Sequence, residues 1–279
     1  MRWTRGGRSG NIEDRRGSRA LGGGLGLGGM LLLLVLSLVF KQDFLSLVQT
    51  GTEPGPATEA PPANTTPEEE RMVEFVSFVL DDAQSTWSQQ LSASGSGYTA
   101  AKLVLFRDAV RSGCGTAQSA VGPFYCPLDQ KVYIDLGFYE ELGQRFGAPG
   151  DFAQAYVLAH EIGHHVQHLL GTDERVRRGQ AERPDQRNEL SVALELQADC
   201  YAGVWGHSTA QRNLLEAGDI EEGLGAAAAV GDDRLQRQTT GRVVPDSFTH
   251  GSSEQRAQWF RRGFDSGDPS ACDTFSPAA

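Results

Sequence analysis

One helical run constrains this chain more than any other feature. Residues Asp151–Gly171 read DFAQAYVLAHEIGHHVQHLLG, with apolar side chains at helical spacing, an N-cap candidate at Asp151 and a stop at Gly171. Within it, His160-Glu161-Ile162-Gly163-His164 is an H-E-x-x-H. Residues four apart share a helix face, so both imidazoles reach one ion. Glu161 lies about 100° round from His160, near enough to touch a water on that ion without ligating it. Zinc chemistry needs such a carboxylate, because water acidified toward pH 7 must still hand off a proton as it attacks. With six His in 279 residues, shuffling the composition gives about 0.008 matches to this pattern per chain. A polar helix face carrying two histidines by accident is therefore the weaker reading.

A catalytic zinc site usually has three protein ligands plus water. The expected third is Glu195, in the helical run Ser191–Gly203 (SVALELQADCYAG). Asp199, four residues on and on the same face, is expected to accept the spare N–H of a zinc histidine, fixing its tautomer. Their neighbours Leu194, Leu196, Ala198 and Ala202 are apolar or small, so the acids are not a solvated face, and buried acids need a partner. His165 and His168 are expected at the surface near the helix end, where a cation suits the dipole. His207 has no evident partner. In Phe248–Arg256 (FTHGSSEQR), His250 is expected to act catalytically by donating to a developing oxyanion. Ser252 or Ser253 can cap the following helix, and Arg256 reads equally well as a structural ion-pair partner.

The helices belong to one domain, 68–279. Further helices are expected from Pro67 onward and at 187–206, 209–217, 218–230 and 252–263, with polar loops at 171–186 and 231–247. Strand signals are confined to Lys102–Phe106 (KLVLF) and Lys131–Leu136 (KVYIDL). The fold class is therefore α+β, mainly helical with a small sheet. Ahead of the domain, residues 21–40 (LGGGLGLGGMLLLLVLSLVF) carry no charge and are long enough to cross a bilayer. Arg2, Arg5, Arg8, Arg15, Arg16 and Arg19 make residues 1–20 a basic tail, which the positive-inside rule leaves in the cytoplasm. A single-pass signal anchor is preferred to a cleaved signal peptide, because the apolar run is long and no A-x-A-like site follows it. Residues 41–67 form a Pro/Thr-rich linker, and the domain lies on the extracytoplasmic side. Beyond the tail the chain is strongly acidic within an overall charge of −11, which disfavours nucleic acid as a partner. Cys114, Cys126, Cys200 and Cys272 are even in number, and the simplest disulfide pairing is Cys114–Cys126 with Cys200–Cys272. A zinc–cysteine site is the rival, but there is no C-x-x-C.

MRW…NIEDRRG, GCG…GPFYCPLDQKVYID, DFAQAYVLAHEIGHHVQ, ELQADCYAG and FTHGSSEQR together resemble the bacterial neutral zinc metallopeptidase family along nearly the whole chain. The order H-E-x-x-H, E-x-x-x-D, T-H-x-S is also similar to the membrane CAAX-type gluzincin peptidases. The resemblance implies a zincin-like domain with zinc on His160, His164 and Glu195 and Glu161 as base. It also implies that Lys131–Leu136 is an edge strand along which an extended peptide lies. The expected function is zinc-dependent endopeptidase on a peptide or protein substrate. A zinc amidase acting on cell wall and a non-catalytic, zinc-stabilised binding module are the alternatives.

Overall fold

The computed structural model describes residues 1–17 and 65–276. Strand β1 (Ile12–Asp14) precedes helix α1 (Pro67–Ala93), which opens with a capping box between Thr66 and Glu69 and a proline in its first turn. Strands β2 (Lys102–Phe106), β3 (Ala109–Ser112), β4 (Gly115–Gln118), β5 (Phe124–Cys126) and β6 (Lys131–Asp135) follow. Helices complete the chain: α2 (Gly137–Gln144), α3 (Asp151–Leu169), α4 (Thr172–Glu182), α5 (Arg187–Gln211), α6 (Asp219–Ala229), α7 (Asp232–Thr240) and α8 (Ser253–Ser266). The result is mainly helical with a small sheet, as the sequence implies.

The sheet runs β1-β2-β6-β5, with β1, β2 and β6 parallel and β5 antiparallel to β6. Leu103, Leu105, Val132 and Ile134 face the helical core, while Val104, Phe106 and Tyr133 build a second cluster beneath β3 and β4. Burial on both faces explains why KLVLF is apolar without alternation. Strand β6 is consequently interior. The expected edge role of Lys131–Leu136 passes to β5, since β5 occupies β6's outer side.

Residues 1–17 are not a separate tail. Ile12, Glu13 and Asp14 pair in register with Leu103, Val104 and Leu105. The buried guanidinium of Arg16 bridges Asp14 and Glu70 at 2.7 and 3.1 Å, and Arg8 joins the same two carboxylates. These arginines therefore answer acids of the domain itself. The pairing keeps residues 1–17 and 65–276 on one side of any membrane, so the expected separation of the two by a single crossing does not hold. Segment 21–40 and nearly all of the linker 41–67 lie outside the described residues. Among those described, no helix is long and apolar enough to cross a membrane.

Several helical boundaries also differ from expectation. Gly150, not Asp151, is the N-cap of α3. The run expected as a separate helix at 209–217 is instead the end of α5 plus a turn. Both polar loops hold helices, α4 and α7, whose sequences have no apolar stripe for periodicity to detect. Tight crossings position what matters. A Cβ on Gly163 would lie 3.0 Å from the Ala198 carbonyl oxygen, so α3 and α5 touch backbone to backbone at the H-E-x-x-H. Gly203 and Gly263 do the same between α5 and α8. Both expected disulfides are present. Cys114–Cys126 ties the β3–β4 turn to β5, and Cys200–Cys272 ties α5 to the segment after α8.

Candidate metal centre

Helix α3 presents His160 and His164 on one face, and the close crossing at Gly163 brings Glu195 of α5 opposite them. His160 Nε2 and His164 Nε2 are 3.2 Å apart, and the Glu195 carboxylate oxygens lie 3.2 and 3.4 Å from them. Ligand atoms about 2.0–2.1 Å from a tetrahedral zinc are about 3.3–3.4 Å from one another. The two nitrogens thus stand at the spacing of a zinc face, and each meets a different oxygen of Glu195, so the three side chains converge on one point.

Hydrogen bonds behind the imidazoles say which atoms face the triangle. His160 Nδ1 donates to Asp199 at 2.8 Å, and His164 Nδ1 meets the Gln167 side-chain oxygen at 2.8 Å. Both histidines therefore aim a bare Nε2 at the carboxylate when neutral. Two lone pairs and a carboxylate at such range repel one another unless a cation lies between them. Until an ion binds, the imidazoles play that part as cations. Burial would lower their pKa, but Asp199 and Glu195 raise His160 and Glu195 raises His164, and the two rings in turn hold the Glu195 carboxyl well below the usual range against burial. The buried charges point the same way. With Glu161 ionised, the carboxylates of Glu161, Glu195 and Asp199 face the single guanidinium of Arg256, leaving room for a divalent ion. All four cysteines are in disulfides, which removes the zinc–cysteine reading. Among the described residues the cluster has three ligands and no fourth. The donor set fits a zinc ion with one open position.

Asp199 is the hub behind His160. It also accepts from Tyr156 Oη and from Arg256, whose Nε and Nη2 lie 2.8 and 3.0 Å from its two oxygens. Burial pushes its carboxyl up, yet Arg256 and His160 keep it below the ordinary value. Arg256 is thus the structural ion-pair partner. Glu161 is buried as well, but charges alone surround it and nothing hydrogen-bonds it among the described residues. Burial raises its carboxyl, and the two histidines pull it back only in part. A carboxylate so placed remains available to a water.

A sequence model of the family described as "putative neutral zinc metallopeptidase" matches residues 1–275. The chain belongs to that family. It is 50% identical over 286 residues to the uncharacterized protein YpfJ of Escherichia coli K12, covering 99% of each chain. It is also 49% identical over 193 residues to the uncharacterized protein Mb2605 of Mycobacterium bovis, covering 65% of this chain and 64% of that one. No solved structure matches it. Within a family that takes in residues 1–275, β1 and the arginines beside it belong to the shared unit, in keeping with their place in the sheet.

Of the remaining histidines, His165 departs most from expectation. His165 is fully buried rather than at the surface: its Nε2 donates to the Thr99 carbonyl at 2.6 Å and its Nδ1 accepts from Tyr125 at 3.0 Å. Burial lowers its pKa, and as a neutral ring it fastens edge strand β5 to α3. His168 is half-buried and pairs with Asp173 at 2.7 Å. His207 meets the Phe264 carbonyl at 2.6 Å. His250 has a 51% exposed side chain, and its loop packs at Gly251 against Val192 and Leu196 of α5, beside Glu195. Asp232, unforeseen in the sequence, holds His250 Nδ1 at 3.1 Å and both the Thr249 and His250 amides. Gln167 behind His164 was equally unforeseen. Its spacing of three residues from the second histidine of the H-E-x-x-H was the available signal.

Proposed function

We propose that this chain is a zinc-dependent endopeptidase in which Glu161 is the general base. The observation that carries the reading is the cluster of His160, His164 and Glu195 beside a buried carboxylate that no hydrogen bond engages among the described residues. A zinc ion held there supplies Lewis acidity and lowers the pKa of water toward neutrality. Glu161 takes the proton from the attacking water and returns it to the leaving amine, and burial, which raises its carboxyl, makes it a stronger base than an exposed glutamate. Protonated His250, oriented by Asp232, donates from Nε2 to the developing oxyanion. An extended peptide lies along β5, which has no strand on its outer side among the described residues and whose Tyr125 is tied to α3.

The open fourth position favours catalysis over a closed structural zinc. The proposal includes a compartment outside the cytoplasm, where Cys114–Cys126 and Cys200–Cys272 persist. The test is Glu161→Gln in the full chain. Zinc content is expected to stay at one per chain, while cleavage of denatured protein falls about 10²–10⁴-fold. Undiminished cleavage overturns the assignment of the base. Activity on purified cell wall with none on protein would move the same site to amidase chemistry.

A further inference from the structure

His164 is backed by side chains that carry no charge. Gln167, fully buried, sits one turn further along α3, and its side-chain amide nitrogen lies 2.7 Å from the Leu194 carbonyl and 3.1 Å from Gln197 Oε1. Gln197, also buried, places its own amide nitrogen 2.9 Å from the Cys272 carbonyl. Backbone carbonyls only accept hydrogen bonds. Leu194 and Cys272 therefore dictate which way both amides face, and turning either amide over would set oxygen against oxygen. With its NH₂ committed to Leu194 and Gln197, Gln167 has only its oxygen to offer His164 Nδ1, which must then carry the proton.

We propose that Gln167 and Gln197 form a directional amide relay that positions His164 as the Nε2-bare tautomer, anchored at its far end by the Cys200–Cys272 disulfide. Cys272 supplies the last carbonyl, and its sulfur is bonded to Cys200 on α5, the helix that also bears Glu195, Gln197 and Asp199. The relay thus joins the C-terminal segment to metal affinity without touching the metal. Gln167 and Gln197 are positioning residues. The inference rests on the zinc reading above.

The test uses the full chain, stripped of zinc and titrated with zinc against a chromogenic chelator, together with ¹⁵N NMR of the histidine rings. Gln167→Ala and Gln197→Ala are each expected to raise the zinc Kd on the order of tenfold, as loss of outer hydrogen-bonding partners does elsewhere. The double variant is expected to match Gln167→Ala alone, because Gln197 acts only through Gln167. Replacing Cys200 and Cys272 by alanine together shifts the Kd in the direction of Gln197→Ala. In the zinc-free protein, at a pH high enough to leave the ring neutral, His164 is expected to carry its proton on Nδ1, to become a tautomer mixture in Gln167→Ala, and to recover in Gln167→Glu, whose neutral carboxyl donates toward Leu194 while its other oxygen still accepts from Nδ1. Should Gln167→Ala fail to fold, Gln197→Ala and Gln167→Glu carry the test alone. Kd values within twofold of the parent, or strictly additive losses in the double variant, overturn the relay. An unshifted cysteine pair beside shifted glutamines overturns its disulfide anchor. A parent chain that binds no zinc overturns the functional reading instead.

Discussion

His160 and His164 stand one turn apart on the same helix and aim at the same point, but opposite chemistries hold them. Behind His160 is a buried ionic hub: Asp199, paired with Arg256 and receiving the Tyr156 hydroxyl. Behind His164 is a neutral chain of two glutamines ending on backbone carbonyls. A carboxylate does more than fix a tautomer, because its charge also makes the imidazole a stronger donor. An amide fixes orientation without adding charge. Two carboxylates behind two histidines, next to Glu195 and Glu161, would load the pocket with more negative charge than one divalent ion offsets. Putting the charge behind one ring only, and giving it Arg256, keeps the centre near balance.

The difference makes the two supports unequal in stability. Asp199→Ala leaves Arg256 buried without its partner and is expected to destabilise the zinc-free protein by about 3–5 kcal/mol, whereas Gln167→Ala, which leaves only neutral groups unpaired, costs about 1–3 kcal/mol. Denaturant unfolding of the two variants checks this, and equal losses would erase the distinction. Gly163→Ala strikes both supports at once, because the added methyl meets the Ala198 carbonyl and parts α3 from α5. The expected cost is about 1–3 kcal/mol, with zinc affinity lost through Glu195 whichever histidine is considered. Unchanged zinc binding in Gly163→Ala would show that the crossing does not set the triangle.

The smallest effect concerns a third, exposed histidine. Its hydrogen bond with Asp232 raises the His250 pKa above the ordinary 6.5, against some opposition from burial. His250 therefore stays cationic, and able to donate from Nε2, until the pH rises through that raised value. The alkaline limb of kcat/KM is expected above pH 6.5 and should move to lower pH in Asp232→Asn. A limb that does not move would remove His250 from the chemistry.

The pairing of His160 and His164 was legible because its information is local: a spacing of four residues puts two imidazoles on one face whatever the rest of the chain does. Glu195 and Asp199 were legible for the same reason, as acids four apart among apolar neighbours. What escaped depended on distant partners. Arg8 and Arg16 look like a basic tail until Asp14 and Glu70 are seen beside them, since a charge does not reveal whether lipid or a carboxylate will meet it. The resemblance implied an edge at Lys131–Leu136, and the sequence held no signal against it, because β5 is only three residues long. Helices α4 and α7 are polar nearly all round, with Val176 one of the few apolar anchors of α4, so no stripe marks them. Gln167 passed as an ordinary helix residue because its role depends on a carbonyl of α5 and on a turn held by a disulfide.

X-ray absorption at the zinc edge tests the centre most directly. The full chain is expected to hold one zinc with four nitrogen or oxygen neighbours at about 2.0–2.1 Å, two of them imidazoles, and Glu195→Ala is expected to lose one of these or the metal itself. Sulfur neighbours near about 2.3 Å, or a zinc shell indifferent to Glu195→Ala, would contradict the account.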